Sequence, residues 1–245
     1  MAHRWRRGAE GYVVVDREDL LVRFATAIAT SPVADSLSAR LCHACRDLAG
    51  SDAAAITVSY TSASRVTLCA TDEISGRLED LQDVVGEGPG RAASESGRIE
   101  VCPVGRAGEG RWSHFDEAAQ ELVESAVLHA VPMRPEGKDF GVLTLYQTES
   151  LPGRLALDDA TLLMLAAATG AALVRDPTAL DEELLSGPWA SRARIHQATG
   201  MVVAQLGVGA DDALAVLRAH AYAGDTSLSD IAEQVTGRSL RFTPQ

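Results

Sequence analysis

The sequence is nearly without lysine and poor in aromatic side chains. Lys138 stands beside 21 arginines, and Phe, Tyr and Trp together make up 4%. A GC-rich genome produces that skew, which says little about mechanism. Cysteine is scarce too. Cys42, Cys45, Cys69 and Cys102 are too few and too scattered for a disulfide framework in a chain this long. No stretch reaches the about 18–20 apolar residues that a membrane span needs. The start, MAHRWRRGAEG, has no apolar run of signal-peptide length behind its basic residues. These absences lead to the expectation of a cytoplasmic protein that makes no membrane contact. Positive charge is also in deficit: 22 basic against 34 acidic residues give a net charge of −12. The whole chain therefore exerts no attraction on phosphate backbones or anionic lipid, and any nucleic-acid contact must come from a local patch. No Ser/His/Asp or paired-carboxylate arrangement stands out, so no catalytic residues and no enzyme activity are expected.

What is present is ordinary for a folded chain. Hydrophobic residues make up 46% and charged residues 23% of 245, enough for a buried core in one large or two smaller domains. Residues 1–15 are charged and contain Gly8 and Gly11, which predicts a flexible start. Over 16–29, Leu20, Leu21, Phe24, Ala27 and Ile28 recur at helical spacing. A second helix is expected over 33–49, stopped by Gly50. The period then changes. Residues 53–60 (AAAITVSY) and 65–70 (RVTLCA) predict a β-hairpin. A helix over 73–84, the loop VGEGPGR, a short helix at 90–96 and a strand at 98–103 follow. Residues 111–128 predict a helix, 129–134 and 140–147 two strands, and 157–174 a strong apolar helix. Strand clusters flanked by helices argue for an α+β fold with an antiparallel sheet. Residues 176–187 are acidic and polar and predict a linker or helical extension. Beyond them, 189–206, 210–222 and 227–235 each carry an apolar helical stripe, with capping oxygens expected from Asp211-Asp212 and Thr226-Ser227. They form an all-α three-helix bundle.

The last stretch, SRARIHQATGMVVAQLGVGADDALAVLRAHAYAGDTSLSDIAEQV (191–235), resembles the ANTAR family of small RNA-binding domains. The resemblance rests on Arg192, Ile195, Ala198, Gly200, Gly207, Asp212, Ala213, Leu217, Arg218, Leu228, Ile231 and Ala232. The preceding region looks like the GAF family of ligand-sensing domains, through VGEGPG at 85–90, Trp112, Phe115 and the paired strands AVPM and FGVLTLY. The resemblance implies a 16–175 GAF-like sensory domain and a 188–245 ANTAR-like domain. It implies a dimeric transcription antiterminator that binds hairpin RNA in nascent transcripts, controlled by a signal or small-molecule effector of the GAF domain. No cofactor or metal is implied.

Candidate RNA-binding residues are Arg192, Arg194, His196 and Thr199 on the first helix, and Arg218 and His220 on the second. Arg192, His196 and Thr199, at spacings of four and three, share one face. Residues 188–245 carry five basic and five acidic residues, so RNA binding requires these arginines to gather on one side. Thr199 stands where many ANTAR domains have lysine, and Asp225-Thr226-Ser227 where many carry Asn and basic residues. The alternative is a protein–protein signalling adaptor that dimerises through the same helices without binding RNA. Trp112 and Phe115 are candidates for a ligand-pocket wall, or plain core. Cys42-His43-Ala44-Cys45 is half of a zinc pattern, and Cys45 falls on an apolar stripe where a free thiol packs as a small hydrophobe. Cys69 and Cys102 are candidates to approach each other across the sheet. Gly90 stands where many relatives with this domain pair have cysteine.

Overall fold

Small and β-branched residues in Ala53–Thr61 build the centre of the fold, because their side chains alternate between two packed faces. Ala54, Ile56 and Val58 enter one apolar core and Ala53 and Ala55 another. The computed structural model describes residues 17–32, 35–61, 64–105, 111–148, 155–176 and 188–243, except for the side chains of 59–61, 64 and 188–193. The expected flexible start and the connector beyond Asp176 lie outside the described residues.

Five strands form one antiparallel sheet: β1 (Ala53–Thr61), β2 (Ser64–Ala70), β3 (Glu100–Val104), β4 (Ala126–Met133) and β5 (Gly141–Thr148), in the order β2-β1-β5-β4-β3. One face is covered by α1 (Arg17–Thr30), α2 (Leu37–Ala49) and α6 (Asp159–Arg175), through Leu20, Leu41 and Leu165 among others. The other face is covered by α3 (Glu73–Val85), α4 (Pro89–Ser96) and α5 (Ser113–Ala119), through Leu78, Ala92 and Phe115. The helix starts are chemically specified. Ser36, Asp72 and Asp158 each accept a backbone N–H of the first turn, and Asp72 and Ser75 complete a reciprocal capping box. Gly50 closes α2 at a φ of 65°, as its position predicts.

The helix expected over 111–128 is shorter than its pattern. It ends at Ala119, and Ala126–Leu128 join β4, where Ala126 pairs with Val104 and Leu128 with Cys102. Strand pairing outweighs local helical spacing there. After the sheet come α7 (Pro188–Leu206), α8 (Ala210–Ala223) and α9 (Leu228–Thr236). Ala198, Val202, Leu217, Ile231 and Val235 make their common core. Ser227 caps α9 and forms a capping box with Asp230. The caps expected from Asp211 and Asp212 do not form. Gly209 is the N-cap of α8, and both carboxylates lie inside its first turn, where they complement the helix dipole.

Candidate nucleic-acid interface

The three C-terminal helices bring part of the predicted site together. His196 and Thr199 on α7 and Arg218 on α8 line one cavity of about 120 Å³ with Asp83 and Asp211. The helical spacing of His196 and Thr199 and the crossing of α8 over α7 produce that convergence. Arg192 lies in α7, but its side chain is outside the described residues. Arg194 points elsewhere: its Nη1 pairs with Glu233 Oε2 on α9 at 3.3 Å. Thr199 is buried, and its hydroxyl donates to the Ile195 carbonyl at 2.8 Å, so it offers little to a ligand. His220 is exposed and stacks edge-on to Phe242, with ring centroids 5.1 Å apart. Among the described side chains, Arg194 and Arg218 therefore do not share this cavity.

The residue that covers Arg218 belongs to the sheet domain. Helix α3 runs between the two bodies. Its inner side, Ser75, Leu78, Glu79 and Gln82, is buried. Val84 follows Leu78 by six residues, about 240° around the helix, and enters the core of the C-terminal bundle. Asp83 lines the same cavity as Arg218, and the Arg218 Nη1 lies 3.7 Å from the position a Cβ on Gly86 would take. Burial lowers the pKa of the Arg218 guanidinium, while Asp83 and Asp211 act in the opposite sense. The Arg218 Nε is buried with no hydrogen-bond partner. A larger cleft of about 470 Å³ opens beside this contact, with Asp80, Leu81 and Val84 of α3 facing Tyr222, Asp225 and Asp230. Desolvation, then the neighbouring Asp83, Glu79 and Asp230, pushes the Asp80 carboxyl up to about 7. Asp80 keeps contact with solvent at the cleft mouth, so water screens part of that repulsion.

The inner side of α3 is tied into the sheet by a charged network. The Arg65 Nη2 on β2 meets Glu79 Oε2 at 3.0 Å, and both side chains are buried. Thr57 Oγ1 donates to Glu79 Oε2 at 2.9 Å, and the Tyr146 hydroxyl donates to Glu79 Oε1 at 2.7 Å. Desolvation and the adjacent Glu79 raise the Tyr146 pKa well above its ordinary value. Arg65 Nη1 also faces Asp83 Oδ1 at 3.6 Å. Asp83 thus stands between the guanidiniums of Arg65 and Arg218. The glycine loop serves this network. Gln82 Oε1 accepts the Gly90 N–H at 2.8 Å, and a Cβ on Gly90 would lie 2.8 Å from Arg65 Nη2. Glycine is what lets the loop approach so closely.

Trp112 and Phe115 line neither the 120 Å³ cavity nor the 470 Å³ cleft. Phe115 is fully buried and Trp112 is 9% exposed, and both pack in the second core with Leu128 and Ala119. The large apolar rings are consumed by the α5–sheet contact. Cys69 and Cys102 do not approach each other either. They lie on β2 and β3, the two opposite edges of the sheet. Cys69 instead neighbours Cys42 and Cys45. Desolvation pushes the Cys45 thiol up to about 12, which matches a packed, unreactive cysteine. Among the described residues no group of His, Cys, Asp and Glu is placed to hold a metal ion, and no single helix is long and apolar enough to cross a membrane.

Sequence reasoning missed Asp83 and Val84. Periodicity gave no signal for them: the apolar residues of 73–85 (Ile74, Leu78, Leu81, Val84, Val85) fall within about 120° of the helix, the width of one ordinary stripe.

Residues 185–235 match the ANTAR domain, so the C-terminal helices carry that domain. No curated protein matches the chain. Among solved structures, the chain is similar to a domain of a two-component sensor histidine kinase protein from Sinorhizobium meliloti 1021, at 18% identity and a TM-score of 0.40, over 58% of this chain and 92% of that one. It is also similar to the A. aeolicus nlh2 GAF domain in an inactive state, at 14% identity and a TM-score of 0.41, over 63% of this chain and 90% of that one.

Proposed function

We propose that the chain is a regulator of transcription antitermination that binds hairpin RNA through its ANTAR domain under the control of a GAF-like sensory domain. The proposed division is a sensory domain at 16–175, a connector at 176–187 and an RNA-binding domain at 188–245. The observation that carries this reading is the ANTAR match over 185–235, in helices that bring His196 and Arg218 to one cavity. Arg192, Arg194, Arg218 and His220 would supply contacts to phosphates, and each phosphate neutralised releases counterions. A dimer acting in the cytoplasm, and a small-molecule effector of the sensory domain, belong to the same proposal. The test is a titration of the full chain with hairpin RNA at low salt. Binding that weakens in Arg192→Ala and Arg218→Ala supports the reading; no binding at any salt concentration ends it.

A second reading is favoured by the Arg194–Glu233 pair and the covered Arg218: an adaptor that dimerises through the C-terminal helices and ignores RNA. Sedimentation of the full chain beside a chain ending at Arg175 separates the two. A dimer lost with the helices, together with no RNA binding, supports the adaptor.

A further inference from the structure

Helix α3 has two working sides. Its inner side is locked to the sheet interior by Glu79 on Arg65, Thr57 and Tyr146, and by Gln82 on the glycine loop. Its outer side meets the bundle at the point where α7 and α8 bring His196, Thr199 and Arg218 together. Val84 packs with the bundle core and with neither sheet core. Its apolar burial therefore contributes to docking alone. Asp83 sets a carboxylate on the same cavity as the Arg218 guanidinium, whose Nε is buried with no hydrogen-bond partner.

We propose that α3 is a built-in competitor for RNA: Val84 anchors it on the ANTAR bundle, and Asp83 occupies Arg218 in place of a phosphate. This inference rests on the RNA-binding reading above and names how that site is controlled. A carboxylate and a phosphate oxygen make the same charge-assisted bond to a guanidinium. While α3 lies beside the half-buried Arg218, Asp83 stands where a phosphate would approach that guanidinium, although His196 stays exposed. Asp83 is a positioning residue, paired with Arg65 Nη1 at 3.6 Å on the sheet side and lining the Arg218 cavity on the other. A change at the Arg65–Glu79–Tyr146 network therefore has a short physical route to the RNA face, through a single helix. Docking acts as a tax on affinity. If about 90–99% of molecules are docked, the apparent affinity for RNA falls about 10- to 100-fold.

The test uses the full chain with Val84→Glu, Asp83→Asn and Val84→Glu/Arg218→Ala. The probe is a pool of RNA hairpins with randomised loops. Amide hydrogen exchange over 73–85 and 210–223 reports docking without reference to RNA. Val84→Glu should speed exchange in both helices and tighten RNA binding at least about tenfold. Asp83→Asn should tighten it by a smaller factor, and Val84→Glu/Arg218→Ala should lose the gain. Faster exchange with unchanged RNA affinity overturns the competition while leaving RNA binding in place. Faster exchange with no RNA binding in any variant overturns the RNA-binding reading and this inference with it. Exchange in 73–85 that is as fast in the unaltered chain as in Val84→Glu shows that no docked state exists, and also overturns it.

Discussion

Glu79 accepts three donors inside the sheet domain, from Arg65, Thr57 and Tyr146. Such a pair stabilises little compared with an apolar replacement of equal shape, but removing one partner strands the other charge out of water. Glu79→Ala is therefore expected to destabilise the fold by about 3–5 kcal/mol, read from urea unfolding. Glu79→Gln keeps hydrogen-bonding capacity and should cost less. An Ala variant as stable as the parent would mean that Arg65 finds water or another carboxylate. Gly90 is the second residue of this kind. Its absent side chain is the space into which Arg65 fits, with only 2.8 Å between a would-be Cβ and Nη2. Gly90→Ala should cost about 1–3 kcal/mol through overpacking, and the same unfolding measurement checks it.

At the scale of the element, α3 is the part with the most consequence and the least sequence signal. The outer side carries Asp80, exposed at the mouth of the larger cleft, and Asp83, half-buried on the Arg218 cavity. Asp80 faces Glu79, Asp83 and Asp230, with Arg77, Glu121 and Asp225 on the same cleft. Its pKa is raised from 3.8 to about 7. The folded chain therefore holds that proton to higher pH than the unfolded chain does. The contribution is present below 3.8 and is lost as pH climbs to about 7. Stability should fall more steeply between those limits in the parent than in Asp80→Asn, measured by urea unfolding at stepped pH. Parallel curves would show that solvent at the cleft mouth screens the repulsion fully.

The elements that were legible in the sequence share a cause. The hairpin at 53–70, the Gly50 stop and the Ser227 cap depend on neighbours a few residues away. What failed depends on partners far along the chain. The spacing over 111–128 is helical, yet Ala126–Leu128 are taken by β3. Trp112 and Phe115 are large rings that either a pocket or a core would use, so the residues alone left both readings open; that they pack in the second core depends on the placement of α5 on the sheet. Periodicity put His196 and Thr199 on one face of their helix, whereas their meeting with Arg218, and with Asp83 beside it, depends on how the helices pack.

Across the whole molecule, the charge balance limits what kind of RNA binding the proposed function would allow. Residues 188–245 are neutral, so the net −12 lies in the preceding segment. A hairpin approaching the chain meets repulsion at long range and attraction only at contact, so steering cannot help it. Affinity must come from a few guanidiniums at close quarters, of which Arg194 is paired with Glu233 and Arg218 lines a cavity with Asp83. Three arginine–phosphate contacts, by Arg192, Arg194 and Arg218, correspond to a slope of about −2 to −3 in a plot of log affinity against log salt. Arg218→Ala should reduce the slope by about 1. Val84→Glu should raise affinity at every salt concentration with little change of slope, because it frees the same arginines rather than adding new ones. A slope near zero, or one that Arg218→Ala leaves untouched, would mean that the guanidiniums never meet phosphate. The C-terminal helices would then serve as a docking surface for protein, and the acidic cover on Arg218 as a fixed structural contact.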